Sequence, residues 1–259
     1  MDIFFSLLCD FAALRETKQM IHQYPERLNI HMTKTSFYQE MRQKSDPVWQ
    51  AIFNHPFVAG IGDGTLSQDR FEFYLKQDYI YLIDFSRVFA LATAKSPQLS
   101  EMAYFATLLN ATLNMEMDLH RRTCAAFGIS EKELEQTAAS MITLSYTNLL
   151  NRTCYEGNLA DVLAVLLPCA AGYIEIGQKL KSAGLPENQF YQDWINTYAS
   201  QDFADLTQWL KDKMDEYAEN TSERYKSRWF NFYLTSARFE YLFFDMSWKK
   251  EMWPSEIAL

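Results

Sequence analysis

The chain reads as all-α, a single helical-bundle domain. From Thr35 onward the apolar residues recur at helical spacing, and no segment alternates convincingly in the manner of a strand. The helical runs are punctuated by serine, proline and glycine at places where caps and stops belong. No internal repeat, low-complexity linker or compositional shift marks a boundary, and 259 residues can bury a large core.

The elements follow in order. A first helix is expected over 36–54. The segment HPFVAGIGDGTLS, 55–67, reads as a glycine-rich loop ending in an N-cap serine. A long helix follows over 68–95. Ser96 and Pro97 supply a cap and a first-turn proline for the next helix, which ends before Gly128. Ser130 starts a short acidic helix, and another runs over 143–156. Residues 159–183 form an apolar helix that stops at Gly184. Two more helices are expected over 187–198 and 202–220, and a last long one over 222–250.

Composition excludes several function classes. A net charge of −9 argues against a large nucleic-acid footprint, which needs clustered Lys and Arg. Nothing basic and amphipathic suggests a membrane surface. The four cysteines, Cys9, Cys124, Cys154 and Cys169, show no CxxC spacing, and four histidines leave little material for a metal centre. Reduced thiols are the simplest reading. The 15% aromatic content is high, suiting a thick core or a cavity for a planar ligand.

Residues 1–34 differ from the rest. MDIFFSLLCDFAALRE is apolar, but Asp2 stands where a signal peptide has basic residues, and Asp10 interrupts the run. It is too short to span a bilayer. The reading is a non-secreted extension outside the domain of 35–259, with Met32 as an alternative start. An amphipathic docking helix or an export signal is the competing reading.

Four constellations carry chemistry. LLPCAAGYIEIGQKL, 166–180, places Pro168 inside a helix, where the lost hydrogen bond costs about 3 kcal/mol. Its neighbour Cys169 is a potential nucleophile, and Tyr173 lies one turn on. A buried Cys beside a kink is the plain alternative, and a working thiolate needs a proton acceptor from another helix. Asp78 shares a face with Tyr81 and Phe85 in an aromatic helix, with pairing to Lys76 as the alternative. Glu240 shares a face with Ser236 and Phe243. Its burial would raise its pKa and suit a general acid, unless it forms a structural ion pair. Glu116 and His120 stand at i and i+4. A di-iron bundle would need Glu-x-x-His pairs on more than one helix and none is present, so a buried structural hydrogen bond is the expected reading. Tyr146 and Tyr198 fit core or site equally, and Arg121-Arg122 and Lys211–Lys213 read as solvated faces.

Taken together, seven pieces resemble the thiaminase II (TenA-type) family: HPFVAGIGDGTL (55–66), RFEFYLKQDYIYL (70–82), EMDLHR (116–121), SYT (145–147), LLPCAAGYIEIG (166–177), WINTYAS (194–200) and ARFEYLFFDMSW (237–248). The resemblance implies a haem-oxygenase-like fold, a homotetramer in the cytoplasm, and hydrolysis of thiamin or its aminopyrimidine breakdown products. The product would be 4-amino-5-hydroxymethyl-2-methylpyrimidine, for thiamin salvage. It implies Cys169 as nucleophile, placing the chain in the cysteine-containing branch. Asp78 matches the carboxylate that binds the pyrimidine and supports the cysteine, and Glu240 the acid/base. Tyr81 and Tyr173 match residues holding the ring, and Tyr146 and Tyr198 hydroxyls lining the site. The small Ala170-Ala171-Gly172 departs from bulkier family residues and bears on pocket width. No metal or organic cofactor is called for. The competing functions are an oxidative enzyme on the same architecture, of the haem-oxygenase or quinone-cofactor-biosynthesis type, and a non-catalytic pyrimidine-binding or regulatory protein.

Overall fold

In a computed structural model, residues 35–256 are described; the expectations for 1–34 lie outside them. The unit that begins at Phe37 holds every feature below. Its helices are α1 Phe37–Lys44, α2 Asp46–Phe53, α3 Pro56–Asp63, α4 Gln68–Lys95 and α5 Leu99–Ala111. A π-helical turn, Thr112–Glu116, leads into α6 Met117–Ala126, α7 Glu131–Glu135 and α8 Met141–Glu156. Then come α9 Leu159–Ala183, α10 Gln189–Tyr198, α11 Gln201–Glu219 and α12 Glu223–Lys249. No strand occurs among the described residues.

α9 is the axis of the bundle, packing against α12, α11, α10 and α8, and also touching α3 and α4. It is long and apolar enough to cross a membrane, yet 89% of its most apolar window is buried inside the fold. That burial explains an apolar face all round, the mark of a core helix. Its start is secured by a reciprocal cap: Asn158 Oδ1 accepts from the Asp161 amide while Asp161 Oδ2 accepts from the Asn158 amide. Arg228 of α12 donates to the same Asp161 carboxylate at 3.0 Å. The helix continues through Pro168. On the preceding turn the Ser236 hydroxyl donates to the Val165 carbonyl at 2.7 Å. The carbonyl that loses its donor at Pro168 is the neighbouring Ala164, so Ser236 ties α12 to α9 one residue past that gap.

Three local expectations are corrected. The helix of 36–54 is two helices, because Pro47 in the first turn of α2 cannot continue α1. Ser45 at the break turns its hydroxyl back to the Met41 carbonyl at 2.8 Å. The glycine-rich segment from His55 is mostly helical: His55 caps it through Nδ1, Pro56 opens it, and Gly64 ends it at φ 79°. Ser96 does not cap the next helix. Its hydroxyl bonds back to Ala92, Pro97 stays outside, and α5 starts at Leu99 with Gln98 at the cap position.

Lys211 and Lys213 are not on a freely solvated face. The Lys211 ammonium lies 4.8 Å from the Tyr38 ring centre, and Lys213 pairs with Glu216 at 2.6 Å and the buried Glu101 at 3.5 Å. Gly172 packs against the rim of Trp49. A Cβ there would meet ring atoms at 2.4 Å, so the bulk missing from α9 is returned by α2.

Candidate active site

Four long helices and the end of a fifth turn aromatic and acidic side chains toward one region. α4 contributes Tyr74, Asp78 and Tyr81; α8 contributes Tyr146; α9 contributes Cys169 and Tyr173; α10 ends in Tyr198; α12 contributes Ser236 and Glu240. The seven residues singled out from the sequence therefore come together, although they lie on five different helices. Gly177 secures one of them. A Cβ at that position would stand 2.8 Å from the Tyr198 carbonyl carbon, so its absence lets the end of α10 close onto α9.

The rings form a box. Tyr81 packs on Phe85 at 5.4 Å and against Tyr146 at 5.2 Å. Tyr173 lies 4.6 Å from Tyr198 and 5.7 Å from Trp194. The Tyr173 and Tyr74 hydroxyls are 3.2 Å apart, and Trp194 donates toward Tyr74 at 3.5 Å. Such walls suit a flat, planar guest.

Cys169 lies between the Tyr81 hydroxyl and the Glu240 carboxyl. That hydroxyl is buried and makes no hydrogen bond to oxygen or nitrogen among the described residues. Burial, and next the Glu240 charge, push the thiol well above its ordinary value. The sulfur is thus a thiol until a proton acceptor takes its hydrogen.

Glu240, 4% exposed, touches Tyr146 at 2.5 Å. Tyr146 also touches the Ser236 hydroxyl at 2.9 Å, and Ser236 donates to the Val165 carbonyl. Tyr146 donates to Glu240 Oε1, and Ser236, whose own proton goes to the Val165 carbonyl, stands against the same phenol. Burial pushes Glu240 up to about 7, against the Tyr146 bond, which favours its charged form.

Asp78 is also raised, by burial first and then by the charges of Glu116 and Glu240. Lys76 does not pair with it but reaches Glu133 at 2.6 Å. The buried structural hydrogen bond expected at Glu116 and His120 is made by His120. His120 Nε2 lies 2.5 Å from the Leu75 carbonyl, which can only accept, so that nitrogen carries the proton. Burial lowers the imidazole to about 4, so Nδ1 keeps a lone pair, 3.7 Å from Asp78 Oδ2. Glu116 instead has the Thr112 side chain beside it. The motif EMDLHR held the signal for both residues, but spacing along the helix could not name the Leu75 partner. Tyr74 and Trp194 carried no sequence signal that separates them from core aromatics. Among the described residues no group of three or more His, Cys, Asp and Glu is spaced to hold a metal.

Comparison with known proteins adds to this geometry. The model of the TENA/THI-4/PQQC family matches residues 42–250. A relative from Halalkalibacterium halodurans named aminopyrimidine aminohydrolase is 45% identical over 219 residues, 84% of this chain and 98% of that protein. One of the same name from Bacillus subtilis is 37% identical, covering 84% of this chain and 92% of its own. Among solved structures, a TenA family transcription regulator from Silicibacter sp. TM1040 superposes with a TM-score of 0.77 at 36% identity, over 82% of this chain and 96% of that one. A heme oxygenase-like domain of unknown function from Shewanella denitrificans, 14% identical with a TM-score of 0.64 over 86% of this chain and 94% of that one, shares the fold.

Proposed function

The chain belongs to the TENA/THI-4/PQQC family, and from that premise we propose that it is an aminopyrimidine aminohydrolase of the thiaminase II type. It hydrolyses the C–N bond joining a pyrimidine's methylene to an amine or to the thiazolium of thiamin. The product is 4-amino-5-hydroxymethyl-2-methylpyrimidine, recovered for thiamin synthesis. The observation that carries this reading is the meeting of Cys169 with the Glu240–Tyr146–Ser236 chain inside an aromatic box.

The chemistry assigns each group a task. The methylene of an aromatic pyrimidine does not readily release its substituent. Cys169 loses its proton to a neighbouring carboxylate and adds to a ring carbon, breaking aromaticity. Electrons from the amino-substituted ring then expel the leaving nitrogen, and water adds at the methylene. Departure of the thiolate restores the ring. Glu240, held protonated by burial, supplies the proton that ring or leaving nitrogen needs. Asp78 binds the pyrimidine and supports the cysteine, Tyr81 and Tyr173 hold the ring within reach of sulfur, and Tyr146 and Tyr198 line the site. The presence of Cys169 puts the chain in the cysteine-containing branch. No metal or organic cofactor enters these steps. We take residues 1–34 as an extension outside the catalytic domain of 35–259, and the enzyme as a cytoplasmic homotetramer.

Incubation with thiamin and with 4-amino-5-aminomethyl-2-methylpyrimidine, following the hydroxymethyl product by chromatography, tests the reading. Wild type is expected to form product, and Cys169→Ser to lose at least about a hundredfold in rate. No product from either compound with wild type would overturn the function. Equal rates for the two proteins would overturn the nucleophile.

A further inference from the structure

Glu116 closes the π-helical turn and precedes His120 by one turn, so both face α4. His120 reaches Leu75 and Asp78 there. Glu116 is close enough to act electrostatically on Asp78 of α4, Cys169 of α9 and Tyr198 of α10. Its side chain is open to solvent, yet its carboxyl is enclosed by enough protein for desolvation to raise it to about 7. Accessible and enclosed together describe a side chain lining a concavity. π-turns inside α-helices often sit at functional sites, because the extra residue re-aims the side chains after it.

The charge balance of this concavity is one-sided. Asp78, Glu116 and Glu240 all face it, and no Lys or Arg is among the groups acting on any of the three. Glu240 has Tyr146 and Cys169 as partners, and Asp78 is assigned to the pyrimidine ring. Glu116 has only the Thr112 hydroxyl, so it is the carboxylate left to meet a ligand's positive charge. Carboxylates gathered without a cation repel one another until a cation or a proton joins them.

We propose that Glu116 is a specificity-determining residue that binds the cationic substituent on the pyrimidine methylene, the ammonium of an aminomethyl group or the positive ring of thiamin. This role rests on the aminopyrimidine hydrolase reading and adds to it a reason for substrate to be preferred over product. The substrate carries a positive charge at the methylene substituent, whereas the hydroxymethyl product is neutral there. Glu116 thus strengthens binding of the charged compound and leaves the alcohol almost unaffected, which favours release after hydrolysis.

The test measures dissociation constants by calorimetry at pH 8, for the aminomethyl and the hydroxymethyl pyrimidine, in the Cys169→Ser chain so that nothing is consumed. Adding Glu116→Gln is expected to weaken the aminomethyl compound about tenfold or more, and the hydroxymethyl compound less than about twofold. Glu116→Asp, which restores the charge, should recover part of the difference. Equal weakening of both compounds, or no weakening of either, overturns the proposal. Failure of the underlying function is read separately, from the turnover of wild type with both substrates.

Discussion

Beside Cys169, Ser236 gives its proton to the Val165 carbonyl and Tyr146 gives its own to the Glu240 carboxyl. Tyr146 holds the Glu240 pKa below the level burial alone would impose. Removing its hydroxyl takes away a stabiliser of the charged form. Tyr146→Phe should therefore move the alkaline limb of kcat/KM, set near pH 7 by Glu240, upward by about one unit. A pH–rate profile checks this, and an unmoved limb would show that Glu240 is not the acid being titrated. At this scale much was legible in the sequence. Cys169, Asp78 and Glu240 stand out because titratable groups in aromatic helices need a reason to be there. The partner of His120 was not legible, since the carbonyl that claims it belongs to Leu75, 45 residues earlier. Spacing along one helix contains no information about that partner.

Helix boundaries depend on smaller energies. α4, α9 and α12 are long, so their periodicity outweighs any single residue, and the sequence places them to within a residue or so. The short α3 was hidden behind its glycines: Gly60 and Gly62 weaken helix propensity, but packing of Phe57, Val58 and Ile61 in the core recovers it. The π-turn leaves no sequence mark, because it depends on what the helix faces. Gly177 is the element-scale device with the sharpest consequence. An added methyl must push the backbone at Tyr198, since a Cβ would lie 2.8 Å from Ala199 N. Gly177→Ala should cost about 1–3 kcal/mol of stability by overpacking. It should also raise KM for the pyrimidine by displacing Tyr198. Denaturant titration and steady-state kinetics on the same preparation check both, and unchanged values would mean that α10 does not register on α9 at this point.

The whole molecule inherits the acidity of its centre. Glu240 and Glu116 titrate near 7 when folded, above the usual glutamate value, so from pH 4.5 to 7 the folded chain holds protons the unfolded chain has lost. Stability from these groups falls as pH rises through that window. His120 opposes them, because its folded value near 4 makes the unfolded chain the better proton binder up to about 6.5. Above 6.5 the histidine has finished and the carboxyls continue. Unfolding free energy is thus expected to drop between about pH 6.5 and 8, with a smaller drop for Glu240→Gln. Urea melts across that range decide it; equal slopes would mean that Glu240 carries no folded-state proton.

The position of the nucleophile has a further consequence. Cys169 rides on α9, the helix against which α8, α10, α11 and α12 all pack. A lineage cannot reshape that wall without risking the whole fold, so drift toward new substrates is channelled elsewhere. The turn from Thr112 to Glu116, joining two helices outside that central set, is the lining segment free to diverge. Related enzymes with different leaving groups should differ there first, while the residues around Cys169 stay put.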